Sequence, residues 1–162
     1  MKDKIYILLI VWMLLPVAIH GAWNIDESQT EITSVQLQGN VFGRAFELGE
    51  ATYNNVALTL SSRGKLGIWP ESELIIFADL TTDQKEWLIT PASGHDSPHI
   101  HMRFAKEGQD FPGTLMYTGE YSMYLSVVKA TDESATIRLH VSLPDYKKSY
   151  LVGEFVAKRQ PQ

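Results

Sequence analysis

The chain contains no cysteine. That absence rules out disulfide bonds, thiolate metal sites and a lipid anchor on an N-terminal cysteine. Small eukaryotic secreted domains lean on disulfides, so an exported chain without them fits a bacterial envelope. Basic runs are also missing: 14 Lys and Arg stand against 19 Asp and Glu, for a net charge of −5. An acidic chain of this kind excludes nucleic acid and anionic membrane surfaces as natural partners. There is no glycine-rich phosphate loop, no G-x-S-x-G elbow and no H-E-x-x-H, so the common phosphoryl-transfer, esterase and zinc-protease signatures are absent. Helical periodicity is nearly absent as well, and no internal repeat interrupts the pattern.

The longest apolar run, residues 5–19, falls short of the ~20 residues needed to cross a bilayer. It follows Lys2 and Lys4, contains Pro16 near its end, and is succeeded by Gly21 and Ala22. Positive start, short apolar stretch and small residues are the anatomy of a secretory signal. Residues 1–22 are therefore expected to be a signal peptide, cut after Gly21 or Ala22. The remainder would be periplasmic or extracellular, without a membrane span.

Residues 23–33 lack apolar alternation and are expected to be a flexible lead-in, with 158–162 as a frayed tail. Between them, residues 34–157 have the length of a single domain. Their period is two. Val35, Leu37 and Val41 alternate with polar residues, as do Val56, Leu58 and Leu60. Ile100, Met102 and Phe104 are interleaved with His99, His101 and Arg103. The row Ala135, Ile137, Leu139, Val141 and Leu143 is the cleanest. Residues 74–80 are apolar on both faces apart from Asp79, which predicts a covered central strand. Turn-forming residues separate the rows, and no connection is long enough for a crossover helix. The expectation is an all-β, antiparallel two-layer β-sandwich, jelly-roll or Ig-like.

Ser97-Pro98-His99-Ile100-His101-Met102-Arg103-Phe104, Leu143-Pro144-Asp145, Lys148-Ser149 and Gly153-Glu154-Phe155 together resemble a pattern found in exported bacterial β-sandwich proteins of no assigned activity. The resemblance covers about the C-terminal 60 residues. It implies fold and export and carries no activity with it.

Two features carry chemistry. His95, His99 and His101 fall within seven positions, with His140 further on. His99 and His101, two apart on a strand, leave the same face. With His95 or Asp96 as a third ligand, and His140 if its strand is adjacent, they are candidate ligands for copper or zinc. Against this, the pair can simply occupy a wet sheet face, and Arg103 on the same row would repel a cation. The spacing around His99 and His101 misses the cupin signature at each step. A copper brace on a mature N-terminal His20 would need cleavage after Ile19, a poor residue for it.

The second feature is aromatic. Trp69, beside Pro70 in a turn, and Trp87 are candidates for stacking on a glycan or anchoring an envelope protein. Core packing is the competing role. The leading expectation is an exported, non-catalytic binding or structural domain of the cell envelope, with a metal-binding protein or metalloenzyme as the alternative.

Processing is directly testable. Intact-mass analysis of the envelope-localised protein is expected to show a mature chain beginning at Ala22 or Trp23. Full-length protein held in the inner membrane would overturn the export reading.

Overall fold

The computed structural model describes residues 35–161. The expected signal peptide and lead-in fall outside them. Twelve strands follow in order: β1 (Gln38–Val41), β2 (Arg44–Tyr53), β3 (Leu58–Ser62), β4 (Lys65–Leu66), β5 (Trp69–Pro70), β6 (Ser72–Ile76), β7 (Glu86–Ile89), β8 (Ile100–Phe104), β9 (Gly113–Tyr117), β10 (Ser122–Ala130), β11 (Ser134–Ser142) and β12 (Tyr150–Arg159). A 3-10 turn, Pro91–Asp96, precedes β8. Ten strands make one sheet in the order β7-β10-β11-β12-β1-β2-β3-β6-β8-β9, and β4 with β5 makes a separate small hairpin. The all-β, antiparallel expectation holds. Hydrogen bonding nevertheless runs unbroken from β7 to β9, so the ladder is one large curled sheet rather than two separate ones.

Its shape follows from chain connectivity. β9 and β10 lie eight ladder positions apart, yet only residues 118–121 join them. In a flat sheet, at ~4.8 Å per strand, that separation is about 38 Å. Five backbone steps reach at most about 18 Å. The sheet must curl, and it forms a half-barrel. Residues 77–85, from β6 to β7, and 90–99, from β7 to β8, cross the same open side.

These crossings bind one another. The Phe77 N–H donates to the His99 carbonyl at 2.8 Å. The Tyr121 hydroxyl donates to the Pro98 carbonyl. Gly119 lies so near the Gly94 carbonyl oxygen that an added Cβ would approach it to 3.1 Å. The strand predicted over 74–80 therefore stops at Ile76. Asp79 accepts from both the N–H and the hydroxyl of Thr81, at 2.9 and 2.6 Å. Those bonds hold its carboxyl below the usual range and turn the chain toward β7, with Ala78 and Leu80 buried beneath.

Period two sorts the faces. Leu60, Leu74, Met102, Leu125, Ile137 and Leu139 point into the concave side, each at most 1% exposed, and belong to one continuous core. The convex face carries opposed ion pairs: Glu73 with Arg103, and Arg138 with Glu154, each at 2.8 Å and in direct cross-strand register. Opposite charges so placed favour this register over a one-residue slip.

β12 joins the two arms of the sheet. It pairs with β11 along its length, with β1 at its start, and in parallel with β2 through Lys158 and Arg159. Gly153, at φ 143°, lets residues 35–37 cross this strand; a Cβ there would come within 2.7 Å of the Leu37 backbone. The tail expected to fray at 158 is thus held two residues further. Gln160 N–H then donates to the Tyr53 carbonyl at 2.8 Å.

The β1–β2 turn is Phe42-Gly43, with positive φ at both residues, as a tight two-residue hairpin requires. Phenylalanine disfavours that conformation. Here its ring stacks on Phe104 at 3.7 Å and meets Tyr146 edge-on at 5.2 Å, while its N–H donates to Ser149 Oγ.

Burial pushes the phenols of Tyr117 and Tyr121 upward, with the Asp145 charge adding to the effect at Tyr117. They differ in partners: Tyr121 bonds Pro98, whereas the buried Tyr117 hydroxyl has no hydrogen-bond partner. Tyr121→Phe is therefore expected to cost about 1–2 kcal/mol, since it strands the Pro98 carbonyl. Tyr117→Phe should be neutral or stabilising. Urea midpoints compare the two, and equal losses would refute this account of the crossing.

Candidate functional site

His99, His101 and His140 lie apart in the fold. His99 lies exposed just before β8, engaged through its backbone carbonyl. His101, on the convex face of β8, packs its ring against Phe77 at 4.7 Å in an edge-to-face arrangement. Its cross-strand neighbours are Ile75 and Met116, neither of them a ligand type for zinc. His140 is buried at 8% exposure on β11, six ladder positions from β8. The backbone of His95 belongs to the 3-10 turn; its side chain is outside the described part of the structure. Among the described residues no group of three or more His, Asp or Glu is placed to hold a metal ion. Arg103, which shares the face with His101, is bound to Glu73.

The two tryptophans also part company. Trp87 is in the core, 8% exposed, and offers no face for stacking. Trp69 is half-buried on the convex side, where β3 and β6 are joined by an arm over 63–71. β4 and β5 form the arm, with Leu66 opposite Trp69 and Lys65 opposite Pro70. Its tip is Gly67-Ile68, and Ile68 is 86% exposed. Its base is fastened by Glu71 N–H to the Gly64 carbonyl at 2.8 Å and by Ser72 N–H to Ser62 Oγ at 2.9 Å. An Arg44–Glu71 ion pair ties the arm to β2.

Beneath this arm lies a groove of about 750 Å³. Trp69, Pro70 and Lys65 form the wall on the arm side, and Val156 and Lys158 of β12 line the groove with them. The floor comes from β2, β3 and β6, through Glu50, Ser61 and Glu73. The β-bulge of β2 between Leu48 and Glu50 shapes this floor. Gly49 sits within it, so close to the arm that a Cβ would meet the Arg63 backbone at 2.8 Å.

Charges in the groove divide by partner. Glu73 is committed: Arg103 binds one carboxylate oxygen at 2.8 Å and Ser61 Oγ donates to the other at 3.2 Å. Arg63, at the rim, pairs with Glu47 at 3.1 Å. No described ion pair or side-chain hydrogen bond engages Glu50, Lys65 or Lys158. The result is an aromatic side chain beside donors and an acceptor with no described partner, suited to a ligand with both an apolar face and polar edges.

Comparison with protein-family models, with curated proteins and with solved structures finds no match to the chain. Among the described residues no helix is long and apolar enough to cross a membrane. Of the groove, the sequence pointed to Trp69 through its place beside Pro70. Glu50, Lys65 and Lys158 carried no local signal, because three separate elements supply them.

The histidine geometry predicts unequal substitutions. His99→Ala should change stability by only a few tenths of a kcal/mol, as an exposed side chain does. His101→Ala should cost about 0.5–1.5 kcal/mol through loss of the Phe77 ring contact. Denaturant midpoints measure both, and equal effects would disprove the packing role.

Proposed function

We propose that the chain is an exported, non-catalytic binding domain of the cell envelope, and that its ligand is a glycan seated in the groove beneath the β4–β5 arm. The observation that carries this reading is Trp69 standing as a half-buried wall beside free polar side chains. Sugar rings present C–H faces that stack on indole, with hydroxyl edges that need donors and acceptors. Lys65, Lys158 and Glu50 supply both kinds of partner around Trp69. In the same reading the two arms of the curled sheet close on the shared core as the layers of a sandwich.

Among the described residues the lining holds no histidine, and both oxygens of Glu73 are engaged. Glu50 remains as the free carboxylate of the lining, whereas glycoside cleavage calls for two working in concert.

Calorimetric titration of the exported chain with soluble oligosaccharides tests the proposal. Saturable binding is expected, and Trp69→Ala should weaken it at least about tenfold, the scale of one lost aromatic stacking contact. The melting temperature should stay within a few degrees of the parent, because Trp69 lies outside the core. No saturable binding across the panel, or full affinity in the Trp69→Ala chain, would overturn it.

A further inference from the structure

The charges left unpaired in the groove say what kind of sugar it would hold, an inference that rests on the glycan reading above. The chain as a whole is acidic, at −5, and its convex face neutralises charge in pairs: Glu73 with Arg103, Arg138 with Glu154, Arg63 with Glu47. Around Trp69 three charges have no such described partner. Lys65 from the arm and Lys158 from β12 both line the groove, and neither has a described ion pair. Glu50 is the single unpaired carboxylate against them. The uncompensated charge of the lining is therefore positive, on a protein of opposite net sign.

We infer that the groove takes an acidic saccharide, one whose ring stacks on Trp69 and whose carboxylate lies between the Lys65 and Lys158 ammonium groups. The remaining parts have matching roles. Glu50 accepts hydrogen bonds from sugar hydroxyls, and Glu73, held by Arg103 and Ser61, forms a fixed polar floor. A neutral saccharide offers these ammonium groups no counter-charge, whereas a carboxylate does, and opposite charges attract more strongly in a partly enclosed site than in open water. Because both lysines come from elements fastened to the sheet, the arm by its hydrogen bonds to β3 and Lys158 by its pairing with Thr52, their backbones are in place before the ligand arrives.

The test compares three probes on the mature exported chain: trigalacturonate, its fully methyl-esterified form, and neutral galactotriose. At low salt, trigalacturonate is expected to bind about tenfold more tightly than the ester, as two partly exposed charge contacts would give. That advantage should shrink as salt is raised. In the Lys65→Gln/Lys158→Gln double variant, all three probes lose the two lysine donors, and the advantage of trigalacturonate over the ester should disappear. Equal binding of all three probes by the parent chain would overturn the acidic-sugar inference and leave the glycan reading standing. An advantage that persists in the double variant would overturn the assignment to these two lysines. No binding of any probe would overturn both.

Discussion

A four-residue connection between strands that lie eight positions apart in the sheet is the constraint on which this structure depends. Because residues 118–121 are too short to cross a flat sheet, the ladder has to bend until its ends approach, and two further crossings reinforce the bend. Once curled, the sheet has an inside. The alternating apolar residues then meet across a single core instead of facing water, and burial of that surface, at roughly 25 cal/mol per Å², is the main term favouring the closed form. The Tyr121–Pro98 and Phe77–His99 bonds hold the crossings in register over the open side.

The convex face is built on the opposite logic. Its charges are matched across neighbouring strands, which gives each ladder a preferred register while contributing little energy at such exposed positions. The arm over 63–71 departs from this scheme. It rises from the sheet, carries a tryptophan that the core does not use, and shelters a groove whose lysines have no ion pair among the described residues. The bulge at Gly49 and the path of β12 deepen the same place. Here Trp69 stands beside Lys65, Lys158 and Glu50, three charges with no described ion pair.

How much of this was legible in the sequence depends on the element. β11 could be read directly, because Ala135 through Leu143 alternate without interruption and the strand lies within the sheet. β2 could not: its inward residues Phe46 and Leu48 are followed by Ala51 and Tyr53, and the bulge between them breaks the period of two that reveals a strand. β7 and β9, four and five residues long at the two edges of the sheet, carry too few alternations to register. The covered strand predicted over 74–80 merged β6 with the crossing that follows, since Ala78 and Leu80 are buried for a different reason. The shared face of His99 and His101 followed from spacing alone. What lies beside them is a matter of strand order, which sequence spacing does not encode, and β6 and β9 place an isoleucine and a methionine there.

The position of β12 bears on when the molecule can form. This last strand is central to the ladder, bonded to β11 on one side and to β1 and β2 on the other. The N-terminal strands are thus joined to the C-terminal ones through a segment that is synthesised after every other described strand. Until residues 150–159 emerge, the nascent chain holds two incomplete pieces of sheet with open edges and half a core each. Cooperative closure has to wait for residues 150–159, and contacts of such long sequence separation make it slow. During that interval the exposed strand edges are vulnerable to aggregation.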